Sequence, residues 1–140
     1  MAESLKQDHT DSPRDFKSWL GITELEKRPG EYSAQLQIKS FHKNSLGWIH
    51  GGVYMSLLDT VMGNAVLALK EENDWEWGAT SSLSVQFQRP ARGSVIIGSG
   101  EVTKVGRHLV YVEGTILDED NTLLCRAVGT WFVGTKPEQK

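Results

Sequence analysis

The stretch that decides the fold is His50-Gly51-Gly52-Val53-Tyr54-Met55-Ser56-Leu57-Leu58-Asp59-Thr60-Val61-Met62-Gly63-Asn64-Ala65-Val66-Leu67-Ala68-Leu69. A glycine turn opens it, and the pattern from about Gly52 to Leu69 predicts the longest and most apolar helix of the chain. Val53, Leu57, Val61, Ala65 and Ala68 make one apolar stripe, which Leu58, Met62 and Leu69 widen. Ser56, Asp59, Thr60, Gly63 and Asn64 fall on the remaining face. That face is polar but built of small residues, which suits a closely packed second backbone as well as it suits water.

Outward from the helix, the sequence alternates like a sheet. Tyr32, Ala34, Leu36 and Ile38 alternate with polar residues after the Pro29-Gly30 turn signal, as a half-buried strand does. His42 to Trp48 reads as a loop. Beyond the loop Glu71 to Gly78, four more strand-like runs follow: Thr80 to Gln88, Ser94 to Val105, His108 to Asp118 and Thr122 to Val133. Short connections make the last four a consecutive antiparallel meander, with Gly98 and Gly100 as bulge or bend sites. Phe16, Trp19 and Leu20 have the spacing of a short helix that Gly21 stops. The expected class is α+β, an antiparallel sheet wrapped around one long central helix. The polar ends, 1–13 and 135–140, are expected to be flexible tails around a single domain spanning 14–134.

Composition narrows the function classes. With 140 residues, 15 Lys and Arg against 18 Asp and Glu, and a net charge of −3, the chain lacks the basic surface of a general nucleic-acid binder. Any anionic ligand must be held by a local basic cluster. Cys125 is the one cysteine, which excludes an internal disulfide and a cysteine-rich zinc site. No second His stands at metal-ligand spacing from His50, so no metal is expected. No run of about 20 apolar residues occurs and no signal-peptide pattern opens the chain, so the expected location is the cytoplasm, with no membrane partner. The G-x-S-x-G turn and the phosphate and dinucleotide fingerprints are absent.

Chemistry concentrates around the helix. Free N–H groups at a helix start stabilise a carbonyl oxygen that gains negative charge. A carboxylate such as Asp59 is costly in so apolar a helix unless something uses it. Gly51 and Asp59 are eight residues apart, about 12 Å along a helix, whereas an attacking water and its carbonyl must lie within about 3.5 Å. Two antiparallel copies of the helix would place Gly51 of one against Asp59 of the other, which predicts a dimer with composite sites. The plain alternative is a turn-forming glycine pair and a solvated acid. Thr80, at a strand start, has a hydroxyl that can orient a water for Asp59. Asn44 can hydrogen-bond a substrate or a water, or serve as an ordinary loop asparagine, and His50 can orient the loop or the substrate carbonyl. Arg89 and Arg92, and Lys104-Val105-Gly106-Arg107-His108, sit at strand ends on what read as neighbouring turns, either as phosphate ligands or as solvated hairpin charges. Trp75 and Trp77 can line an acyl pocket or pack their loop down.

Asn44-Ser45-Leu46-Gly47-Trp48-Ile49-His50-Gly51-Gly52 with Leu58-Asp59-Thr60, then Leu83-Ser84-Val85-Gln86-Phe87-Gln88-Arg89-Pro90-Ala91, then Val105-Gly106-Arg107, together resemble the hotdog-fold thioesterases of the phenylacetic-acid-degradation type. The resemblance runs from about Leu20 to Val133. It implies about six antiparallel strands curled around the helix, subunits joined into a dimer by one continuous sheet, and dimers paired into tetramers. It implies hydrolysis of acyl-CoA to free acid and coenzyme A, with no cofactor, coenzyme A being part of the substrate. Asp59 would be general base or nucleophile, the Gly51 amide the carbonyl-polarising donor with Asn44 and His50 beside it, and Thr80 the aligner of water. Gly52, Arg89, Lys104, Gly106 and Arg107 would bind substrate, the basic residues near its phosphates. A non-catalytic acyl-CoA binder and a hotdog enoyl-CoA hydratase are the competing expectations.

Overall fold

The computed structural model describes residues 15–135; the flexible ends expected at 1–13 and 135–140 lie outside the described residues except for Thr135. Its elements run α1 (Phe16–Leu20), β1 (Ile22–Arg28), β2 (Glu31–Gln37), a 3-10 turn (Ser40–His42), α2 (Gly51–Leu67), β3 (Trp77–Phe87), β4 (Val95–Val105), β5 (Leu109–Asp118) and β6 (Leu123–Gly134). Asp15 caps α1 by accepting a hydrogen bond from Ser18 N at 2.8 Å, and Gly21, at φ 87°, ends it.

All strand pairings are antiparallel, in the order β1-β2-β4-β5-β6-β3. The consecutive meander holds for β4, β5 and β6 but fails for β3. That strand pairs with β6, and the chain then crosses to β4 on the far side of β5. The connection is short, yet Pro90 and the left-handed Gly93 (φ 85°) turn it away from a hairpin. β1 was not legible as a strand, because only Ile22 among its residues is buried and the rest show no alternation.

The sheet curls around α2, whose Leu57, Leu58, Val61, Met62, Ala65 and Val66 have no exposed surface. Burial of each large side chain contributes roughly 1.5–3 kcal/mol. The close fit depends on missing side chains on the inner face of the sheet. A Cβ on Gly98 would stand 2.8 Å from Leu57 Cγ, one on Gly100 2.6 Å from the Val61 carbonyl oxygen, and one on Gly114 2.6 Å from Met62 Sδ. Gly98 and Gly100 are thus sites of close approach. They are not bulges, since the β2–β4 register runs through them unbroken and the β4 irregularity falls between Val102 and Lys104. Gly100→Ala is expected to destabilise the fold by about 1–3 kcal/mol, because its obstacle is helix backbone. Urea unfolding checks this, and Gly98→Ala, which meets only a leucine side chain, should cost less.

Candidate active site at the helix mouth and flank

The first turn of α2 is sorted by its cap. His50 is extended (φ −61°, ψ 135°), and its Nδ1 accepts the Gly52 N–H at 2.8 Å. Gly at 52 makes this possible, since a Cβ there would lie 3.0 Å from that nitrogen. Val53 N donates to the His50 carbonyl at 2.9 Å. The amide expected of Gly52 for substrate is therefore already used. Gly51, the first helical residue, keeps an N–H with no carbonyl a turn below to receive it. An accepting Nδ1 also places the neutral imidazole proton of His50 on Nε2, as a second donor.

Asn44 has a building role. Its Oδ1 accepts from Leu46 N at 3.0 Å and Trp48 N at 3.1 Å, folding the loop that leads to the helix. Only its side-chain N–H groups remain for a ligand. Ile38, Trp48, Gly51, Tyr54, Phe87 and Arg89 are among the residues lining a groove of about 430 Å³ at this helix mouth. The Phe87 ring stands at ordinary contact distance from a Cβ built on Gly51, and Tyr54 meets Phe87 edge to face at 6.0 Å.

Asp59 lies two turns on, half-buried, and its Oδ1 accepts the Thr80 hydroxyl at 2.6 Å. A bulge creates that contact. Leu83, Val85 and Phe87 face the helix opposite Gly129, Ala127 and Cys125, so strict alternation would turn Thr80 outward. The register shift between Thr80 and Ser82 returns Thr80 to the inner face, opposite Trp131. Around Asp59 the polar helix face satisfies itself. Ser56 Oγ donates to the Gly52 carbonyl, Thr60 Oγ1 to Ser56 and Asn64 Nδ2 to Thr60, at 2.7–2.8 Å.

One chain does not unite these parts. α2 is continuous from Gly51 to Leu67, so the amide and the carboxylate keep their separation of about 12 Å. The basic turns are not neighbours either. Arg89 follows the Phe87 end of the sheet, whereas Lys104, Gly106 and Arg107 sit at the opposite end of β4, some eleven residues and about 35 Å away along the strand. Lys104 Nζ lies 5.6 Å over the Tyr111 ring, and Gly106 N closes the hairpin on the Leu109 carbonyl at 2.8 Å. Trp75 packs against the core and Trp77 donates to the Thr135 carbonyl; neither lines the groove. Burial pushes the Cys125 thiol up to about 11, so it stays protonated and inert. His42, buried, accepts from Lys39 N through Nδ1 and joins Nε2 to the Leu20 carbonyl, both at 2.8 Å, a purely structural pairing.

The thioesterase superfamily model matches residues 46–125, the span that holds the helix mouth, Asp59 and Thr80. The chain belongs to the thioesterase superfamily. It is a thioester hydrolase with the hotdog fold. A Saccharolobus solfataricus protein named as an esterase is 28% identical over 115 residues, 82% of this chain and 80% of that one. Human acyl-coenzyme A thioesterase 13 is 27% identical over 100 residues, covering 70% and 69%. The E. coli PaaI protein of the phenylacetic acid degradation operon superposes with a TM-score of 0.78 at 17% identity, over 95% of this chain and 94% of that one. No helix among the described residues is long and apolar enough to cross a membrane.

Proposed function

We propose that this hydrolase cleaves acyl-CoA at two composite sites of a homodimer. Asp59 of one protomer acts as general base or nucleophile, and the Gly51 N–H of the partner subunit polarises the thioester carbonyl. The single observation that carries the reading is the 2.6 Å hydrogen bond from Thr80 to Asp59. It fixes the carboxylate beside the sheet's outermost strand and leaves Oδ2 for a water or a substrate carbon.

β3 ends the sheet order, and most of its residues are exposed. Along it, Thr80 stands beside Asp59 and Phe87 beside Gly51. An antiparallel copy of β3 paired edge to edge about Leu83 and Ser84 brings Thr80 against Phe87 of the partner subunit. Asp59 then approaches the groove at Gly51 of the partner subunit. The self-satisfied face of Ser56, Thr60 and Asn64 supports this, since it can be covered without stranding polar groups. The same pairing lets Lys104 and Arg107 of one protomer join a coenzyme A whose other contacts are Arg89 and the groove of its twin. The coenzyme A assignment draws on the name of the human relative.

Chemically little more is required. A thioester is already activated, so one base, one water and one N–H donor suffice. His50 Nε2–H and the Asn44 amide are the further donors proposed for the same carbonyl. Thiol release from a panel of short, medium, long and aryl acyl-CoAs tests the reading; hydration of an enoyl-CoA without thiol release would replace it. Thr80→Val should lower kcat about 10–100-fold with little change in KM, the loss of one hydrogen bond to a charged group. Thr80→Ser should retain activity. Equal rates for Thr80→Val and wild type would remove Thr80 from the site.

A further inference from the structure

The groove wall that carries Arg89 has little structure of its own. Between β3 and β4, Gln88 N and Arg89 N both donate to the Leu124 carbonyl, at 2.8 and 3.3 Å. Beyond them Ala91 packs against the core and the Ser94 carbonyl accepts Ile38 N at 2.6 Å. The backbone N–H groups of Arg92, Ser94 and Val95 are taken by two carboxylates of the β5–β6 turn. Asp118 Oδ2 accepts Arg92 N at 3.3 Å, while its Oδ1 holds its own turn through Asp120 N at 2.9 Å and Thr122 N at 3.0 Å. Glu119 Oε1 accepts Ser94 N at 2.6 Å, Val95 N at 2.8 Å and Ser94 Oγ at 3.3 Å. Gly93 makes room for that carboxylate, since a Cβ there would lie 2.7 Å from Oε1 and its φ is 85°.

These contacts carry the β4–β5 pairing past its end pair, Ile96 with Asp118, onto the residues that lead from Arg89 into β4, and so fix where that segment enters the sheet. We infer that Asp118 and Glu119 are positioning residues: through the backbone of Arg92, Ser94 and Val95 they hold the Arg89 loop where it receives the phosphates of coenzyme A. The inference rests on the acyl-CoA reading above. Both carboxyls are held below their ordinary values. Asp118 is, despite burial that pulls the other way, because Thr122, Arg92 and Asp120 donate N–H groups; Glu119 is because Ser94 and Val95 do. Their stabilisation is therefore complete above the ordinary carboxylate range and lost as pH falls through the lowered values.

The test compares an acyl-CoA with the matching N-acetylcysteamine thioester, which has no phosphate. Glu119→Ala should raise KM for the acyl-CoA roughly tenfold, with kcat within about twofold and KM for the short thioester unchanged. Glu119→Gln, whose amide oxygen still accepts from Ser94 and Val95, should restore most of the affinity. Gly93→Ala disturbs the same contact from the loop side and should reproduce the Glu119→Ala pattern; it decides the matter if Glu119→Ala fails to fold. A wild-type KM for acyl-CoA in the folded variants, an equal rise for both thioesters, or no rescue by Gln overturns the clamp. A wild-type protein that cleaves the short thioester but not acyl-CoA overturns the coenzyme A reading and the clamp's role with it, whereas failure of the clamp alone leaves acyl-CoA hydrolysis standing.

Discussion

Asp59→Asn should lose activity by about 10²–10⁴ in kcat, the range expected when a general acid or base is removed. The substitution keeps the side chain's shape and an oxygen able to accept the Thr80 hydroxyl, so the local geometry survives. What disappears is the capacity to take a proton from water or to attack carbon. Asp59 stands on the half-buried flank of α2, outside the fully buried set of Leu57, Leu58, Val61 and Met62, so unfolding midpoints should match wild type. Single-turnover hydrolysis of an acyl-CoA, measured alongside thermal unfolding, checks both halves. A rate within about twofold of wild type would remove the proposed chemistry.

Gly51→Pro is the complementary lesion. Proline at the first position of a helix removes one N–H and little else, because that amide has no intrahelical partner. His50 already has the extended conformation that a residue before proline requires, and the nearest Phe87 atoms would sit at ordinary contact distance from the new Cβ. The expected loss is about 10²–10³ in kcat, the effect of deleting one oxyanion donor. Each variant alone should be nearly silent. Mixed and allowed to exchange subunits, they should regain activity: a heterodimer has one site in which Asp59 of the Gly51→Pro chain faces the intact Gly51 of its Asp59→Asn partner. With random pairing about half of the dimers are mixed, and half of their sites are sound, so roughly a quarter of wild-type activity should return. No recovery after exchange, verified by tagged subunits, would place both groups in one chain and end the composite-site model.

Much of the frame was readable because it is local. The i, i+4 stripe from Val53 through Leu57, Val61 and Ala65 is a property of neighbours along the helix, and all four are buried. The alternation of Tyr32, Ala34 and Leu36 marked a face that the structure confirms. β1 escaped notice because an edge strand with one buried residue carries no alternating signal. The place of β3 was illegible for another reason. Pro90 and Gly93 steer the seven-residue connection away from a hairpin, but nothing in it says how many strands it passes over. The use of the Gly52 amide by His50 needed coordinates, as did the grip of Asp118 and Glu119 on a segment two dozen residues upstream. The role of Asn44 in folding the Leu46–Trp48 loop was not legible either.

The displaced register near Ser82 sets a rule of parity for this enzyme. Whether residue 80 looks inward depends on the bulge together with the odd or even count of residues between it and Leu83, before it depends on what residue 80 is. Evolution can therefore exchange one hydroxyl for another there by a single codon change. Losing the extra residue there would leave residue 80 facing inward by plain alternation, whereas straightening the bulge with both residues kept would send the hydroxyl to the other side of the sheet while every apolar neighbour downstream stayed in place.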